Sequence, residues 1–168
     1  YGLAFVVLSI AMLGLTAGSL QAYRARELGE PMGPWIARRA GWFALSIVGS
    51  TGVTLAVPMT PAPSGTALFA LLTVAGANAI PMTLGGGIVA RIMAESDAPV
   101  GIVYAVDLVA AALGALSPLI ILGPFDGPSA LIVLGALAAL IAVVTAPTRT
   151  ARGAAIAGTL VLALMAVM

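Results

Sequence analysis

The chain has 168 residues, of which 61% are hydrophobic and 8% are charged, and its formal net charge is +1. A soluble domain carries about 25% charged residues and leaves roughly a third of its unfolded-chain surface in water, so this composition excludes a soluble globular protein. The small net charge predicts no nucleic-acid partner. Cys and His are absent, which excludes thiol or imidazole nucleophiles and zinc, haem or iron-sulfur sites. We therefore expect no metal and no cofactor.

Apolar segments alternate with short polar or proline-rich breaks, and a crossing of the bilayer takes about 20 apolar residues. The sequence predicts an all-α, polytopic transmembrane helix bundle of about six helices, in a single domain without a soluble domain. We expect the third helix to be kinked or broken, because Pro81 and the glycines Gly85, Gly86 and Gly87 lie in its interior. The predicted helices span about 1–23, 41–58, 65–93, 100–122, 128–146 and 153–168.

The distribution of positive charge predicts the topology. Every positive residue is an arginine, and all of them fall in alternate loops of the predicted bundle. By the positive-inside rule, loops 24–40, 91–99 and 147–152 face the cytoplasm of a bacterial inner membrane, and both ends of the chain lie outside. The chain starts at Tyr1 and ends inside an apolar run, so we expect a processed chain or a fragment of a longer one.

Aromatic residues flank the basic first loop, where side chains at the headgroup level would lie. We expect Trp35, Arg38, Arg39 and Trp42 to form a lipid interface, with the bilayer as partner. The simpler interpretation is an interfacial anchor. The alternative is that Trp35 with the two arginines binds an anionic lipid.

Asp107 is the acid that lies deepest in a predicted helix, about 10 Å past Val100 along the axis. A carboxylate at that depth is costly and usually faces a partner or a cavity. An antiparallel hairpin of the third and fourth helices would place Asp107 opposite the glycines, where it could share a polar pocket with Asn78 and Thr83. Two interpretations remain open: a ligand, cation or proton site, or a hydrogen-bonded residue that only fixes helix packing.

Two further patterns lead to structural expectations. Gly14 and Gly18 form a GxxxG pattern in the first helix, which favours tight packing within the chain over a dedicated dimer face. Arg91, Glu95 and Asp97 read as an ordinary solvated turn, with the arginine extending from the end of the third helix.

Two stretches, IPMTLGGG at 80–87 and PVGIVYAVDL at 99–108, precede AALG at 111–114. Together they resemble the membrane region of bacterial spermidine synthase-like membrane proteins, which has an "IPF...GG" helix followed by a "GRLYAADLLGAALG"-like helix. Ile102 stands where the family has arginine, and Ala110 where it has glycine. Tyr104 and Asp107 are the positions that match the motif. The resemblance implies a membrane module associated with polyamine-type chemistry or transport; the family's soluble aminopropyltransferase-like domain would then be missing here.

The sequence favours a non-catalytic inner-membrane module that resembles the membrane half of these synthase-like proteins and serves as an anchor or as a path for a small cationic solute. The alternative is a structural or accessory subunit packed against a larger membrane protein complex. A fragment of a transporter built from inverted repeats is a third interpretation, but the two halves of the chain show no convincing repeat. An enzyme is disfavoured, because no second carboxylate and no metal or nucleotide motif accompany Asp107.

Overall fold

The computed structural model describes residues 2–58, 64–122 and 127–145, together with residues 153, 156, 158 and 159. This part of the chain contains α-helices and no strands, which confirms the all-α class. The predicted sixth helix at 153–168 and the loop at 147–152 lie almost wholly outside the described residues. The helices are α1 (Gly2–Glu27), α2 (Met32–Ala56), α3 (Gly65–Glu95), α4 (Val100–Ile121) and α5 (Gly127–Thr145).

Four of these helices pack side by side in the order α1, α3, α2, α5, with α3 between α1 and α2. The helices α1 and α3 run parallel, since Gly14 lies beside Ala79 and Gly18 lies beside Gly87. The helix α2 runs antiparallel to α3: Phe43 meets Gly85, and further along α2 Thr54 accepts a hydrogen bond from Asn78. The helix α4 has no extended packing against any other described helix.

The connection between α1 and α2 is much shorter than the predicted loop 24–40. The helix α1 continues to Glu27, and α2 begins at Met32 rather than at residue 41. Between them, the chain turns at Gly29, whose positive φ of 71° allows the Glu30 and Gly29 amides to donate to the carbonyls of Ala25 and Arg26. The prediction was wrong because it assigned the charged residues to a loop. In the structure, α1 includes Arg24 and Arg26, and α2 includes Arg38 and Arg39.

The helix α3 begins at Ser64, whose hydroxyl accepts a hydrogen bond from the Ala67 amide. It then runs without interruption to Glu95, with Pro81 inside it, so the predicted break is not observed and a kink is not confirmed. At 1.5 Å per residue its 31 residues extend over about 46 Å. That length exceeds the roughly 30 Å of a bilayer's hydrocarbon core.

Large apolar side chains are exposed on all five helices. By length and composition, α3 and the Val100–Ser117 part of α4 could cross a membrane. In the most apolar stretch of α3 only 22% of residues are buried, and in that part of α4 none are.

Candidate functional site

The best-packed part of the molecule is the end where the C-terminal ends of α1 and α3 meet the beginning of α2, which we call the basic end. Here α2 inserts Trp35, which is 3% exposed, and Ile36 between the other two helices. Ala40 of α2 and Ile88 of α3 complete this cluster with alanines of α1. Small side chains on α1 therefore leave the room in which a tryptophan ring is buried.

Arg91 of α3 lies inside this cluster and is 2% exposed. Its guanidinium donates to the backbone carbonyl of Ala22 at 3.3 Å and to that of Glu30. Its Nε lies 2.6 Å from a carboxylate oxygen of Glu95, one helical turn further along. The Ala22 carbonyl lies near the C-terminal end of α1 and the Glu30 carbonyl lies in the turn that follows, so Arg91 ties α3 to both. The expected solvated turn is therefore wrong for Arg91, because tertiary packing encloses it.

Arg39 of α2 is the second arginine of the basic end. Its guanidinium stacks 4.4 Å from the Trp35 ring centroid, and one of its nitrogens donates to the Gln21 side chain of α1. Its other terminal nitrogen, Nη1, is buried and has no hydrogen-bond partner. Burial, followed by the charge of the adjacent Arg38, lowers the pKa of Arg39, but a guanidinium stays protonated in proteins.

Glycines hold α1 and α3 in close contact along most of their shared length. A Cβ on Gly18 would lie 2.6 Å from the Gly87 amide nitrogen and would overlap the Thr83 carbonyl. A Cβ on Gly86 would lie 2.9 Å from the Leu15 Cα. The GxxxG pattern of Gly14 and Gly18 thus packs within the chain, as predicted. We call this contact the glycine seam.

Gly86 and Gly87 of α3 contact α1, and Gly85 contacts Phe43 of α2 rather than α4. Asp107 lies on α4 and is half-exposed; within the described residues it forms no hydrogen bond or ion pair. Tyr104, one turn earlier, is 59% exposed. The structure therefore does not bring Asp107 together with the Pro81–Gly87 segment.

The other members of the predicted pocket are engaged locally. Asn78 donates to the Val74 carbonyl at 2.8 Å and to Thr54 Oγ1 at 3.3 Å. Thr83 donates to the Ala79 carbonyl at 2.8 Å. Beside Pro81, where we expected polar groups, the structure has an apolar cleft of about 340 Å³. The role of Asn78 and Thr83 in binding a ligand or cation stays a prediction.

The predicted lipid-interface residues divide into two pairs. Trp35 and Arg39 point inward into the basic end, so Trp35 is a core residue and not a lipid anchor. Trp42 is 60% exposed, and Arg38 is exposed, with an ion pair of 2.9 Å to Glu30. The amphipathic spacing of α2 could have revealed this division, had the helix been predicted to begin at Met32.

No group of three or more acidic residues is placed to hold a metal ion in the part of the chain that the structure describes. Comparisons of the chain with protein-family models, with curated proteins and with solved structures give no match. The resemblance to spermidine synthase-like membrane proteins therefore rests on the sequence motifs alone.

Proposed function

We propose that this chain is a non-catalytic, multi-pass module of the bacterial cytoplasmic membrane, and that it acts as a structural or accessory subunit that packs through α4 against another membrane protein. The observation that carries the proposal is the contrast between α4, which has no extended packing against any other helix in the described residues, and the four helices that pack together.

The membrane placement is supported by the exposed apolar surface. The core helix of a soluble protein is mostly buried, whereas none of the Val100–Ser117 stretch of α4 is. Exposed apolar patches of more than a few hundred Å² are rare on soluble monomers. In a bilayer, the same surface would face acyl chains at no cost.

The orientation is supported by the basic end. Five arginines lie on helix ends that converge there, and contacts of Arg91 and Arg38 with the α1–α2 turn join those ends. The positive-inside rule then places this end in the cytoplasm and Ser64 on the other side. We also retain in this proposal the six-helix arrangement expected from the sequence, with a bend of α3 near Pro81 and a sixth helix at 153–168. The arginines are Arg24, Arg26, Arg38, Arg39 and Arg91.

The face of α4 that carries Asp107 is the proposed docking face. Ala110, Gly114 and Ser117 follow Asp107 at helical spacing, and these small residues would allow a partner helix to approach closely. An ionised carboxylate at the centre of a bilayer costs about 3 kcal/mol. We therefore expect the partner helix to place a hydrogen-bond donor or a cation opposite Asp107.

Photocrosslinking in native membranes tests the proposal. Because the sequence contains no cysteine, a photoreactive group can be attached to one introduced cysteine alone. We expect a benzophenone on Ala110→Cys to give one discrete protein adduct that Asp107→Asn removes. The same probe on Ala112→Cys, which lies on the opposite face of α4, is the matched control and should give lipid adducts only. Lipid adducts at both positions would reject the subunit proposal.

A path or site for a small cation is the second candidate, and the unpartnered Asp107 carboxylate favours it. The resemblance to spermidine synthase-like proteins makes spermidine the appropriate probe. Radiolabelled spermidine should bind the purified chain in nanodiscs, and Asp107→Asn should abolish the binding while the protein remains monodisperse. Absence of binding to the unaltered chain, or equal binding to Asp107→Asn, would remove this candidate.

A further inference from the structure

Two cavities adjoin each other along α1 and α3, one apolar and one basic. The apolar cleft has a volume of about 340 Å³, and the basic cavity has a volume of about 200 Å³. Ser19 of α1 and Ala90 of α3 line both of them. The two cavities therefore adjoin each other, and we call them together the groove; its lining changes from apolar to charged along its length.

The apolar part lies alongside the glycine seam. Leu15, Met82, Gly86 and Met93 are among its lining residues. Ser19 is the polar side chain of this lining, and its hydroxyl already donates to the Leu15 carbonyl at 3.0 Å. The side chains of this part of the groove therefore offer no free hydrogen-bond donor to a polar ligand, and the largely apolar lining suits a hydrocarbon chain.

The basic part opens at the basic end, between Arg26 and Tyr23 on α1 and Arg91 on α3. Glu95 neutralises Arg91. Arg26 forms no ion pair within the described residues, and its side chain is exposed. An anion in this cavity would therefore meet one unpaired guanidinium, which binds phosphate oxygens well.

We infer that the groove is a binding site for an anionic phospholipid, with the phosphate at Arg26 and an acyl chain in the apolar cleft. From Leu15 to Arg26 the groove extends about 16 Å along α1. The charged part lies at the end that the topology places among cytoplasmic headgroups, and the apolar part lies deeper. This inference rests on the membrane placement proposed above and is independent of any partner of α4.

Native mass spectrometry of the purified full chain in detergent tests the site, with dioleoyl phosphatidylglycerol as the probe and dioleoyl phosphatidylcholine as the neutral comparison. We expect phosphatidylglycerol to be retained in preference, and Arg26→Gln to weaken its binding about tenfold, the usual value of a charge-assisted hydrogen bond. Arg24→Gln is the matched control, because Arg24 does not line the groove, and it should leave the affinity unchanged.

Two further measurements separate a lipid from a free phosphate and from a nonspecific charge effect. Ala90→Phe should close the junction of the two cavities and reduce phosphatidylglycerol binding at least as much as Arg26→Gln, while elution and helix content confirm folding. Glycerol 3-phosphate should fail to compete. Any of three results would overturn the inference: competition by glycerol 3-phosphate, equal losses of phosphatidylglycerol affinity in Arg26→Gln and Arg24→Gln, or undiminished phosphatidylglycerol binding to Ala90→Phe.

A separate measurement, carbonate extraction, tests the membrane placement on which the inference rests. Carbonate extraction of native membranes should leave the chain in the pellet; a chain released into the supernatant would reject the membrane placement whatever lipid it binds in detergent. A chain that stays in the pellet but shows no preference for phosphatidylglycerol would reject the lipid site alone.

Discussion

The glycine seam between α1 and α3 and the isolated α4 are built from similar residues but pack very differently. Each has small residues at helical spacing, Gly14 and Gly18 in α1 and Ala110 and Gly114 in α4. At Gly18 there is no room for a methyl group, whereas no atom of the described chain lies within 4 Å of a Cβ on Gly114. A small-residue pattern therefore indicates that a helix can be approached closely, but it does not identify the partner.

The difference also concerns polar anchoring. The seam ends at Arg91, a buried guanidinium that binds two backbone carbonyls and Glu95. The carboxylate on α4, Asp107, has no such contacts among the residues that the structure describes. In the membrane placement proposed above, apolar surfaces would have no hydrophobic driving force to associate, and close backbone contact and polar anchors would decide which helices stay together.

The largest expected effect is that of adding a methyl group to the glycine seam, with the same change on α4 as the comparison. Gly18→Ala forces α1 and α3 apart at their backbones and should lower the free energy of unfolding by about 3 kcal/mol or more. Gly114→Ala should leave it unchanged or raise it by up to about 1 kcal/mol, since alanine favours the helix. Thermal unfolding in detergent, followed by circular dichroism, measures both. Equal melting temperatures would show that the seam is not close-packed.

A smaller but still large effect is expected at the polar anchor. Arg91→Met removes the cation beside the Glu95 carboxylate and the hydrogen bonds to the Ala22 and Glu30 carbonyls, and removing one member of a buried pair costs about 3 kcal/mol. Because Glu95 is partly exposed, we expect about 2 kcal/mol. Arg24→Met, on the exposed side of α1, is the control in the same thermal assay and should change little. An unaltered melting temperature for Arg91→Met would contradict the anchoring role.

The smallest effect is expected for the exposed ion pair of the basic end. Arg38→Gln removes the contact with Glu30, but exposed pairs contribute about 0 to 1 kcal/mol. We therefore expect a melting temperature close to that of the unaltered chain, and little difference between low and high salt. A loss as large as that of Arg91→Met would show that the α1–α2 turn depends on Arg38 and not on the buried arginine.

The helix content and most helix bounds could be predicted from the sequence. Residues 65–93, 100–122 and 128–146 were predicted, and α3, α4 and α5 end within two residues of those limits, because prolines, glycines and charges separate long apolar runs. The start of α2 could not be predicted in this way. Hydropathy marks the part of a helix that suits lipid, and α2 extends beyond it through Arg38 and Arg39.

The site was less predictable than the fold. Intrachain packing of Gly14 and Gly18 followed from their spacing, but their partner is α3, with the glycines that we had paired with Asp107. The burial of Arg91 depends on carbonyls of Ala22 and Glu30, which lie 69 and 61 residues away in the chain. No local pattern shows such a contact, because it arises only when helices distant in sequence meet.

The long sequence separation of the Arg91 contacts has a consequence for biosynthesis. Chains begin to fold from the N-terminus during synthesis, and α1 and α2 emerge well before the arginine that binds the end of α1. Until α3 has been made, the glycine face of α1 lacks the helix that packs against it. Formation of the glycine seam and of the Arg91 contacts is therefore delayed until translation has passed residue 91, and for that interval α1 and α2 lack the helix that lies between them.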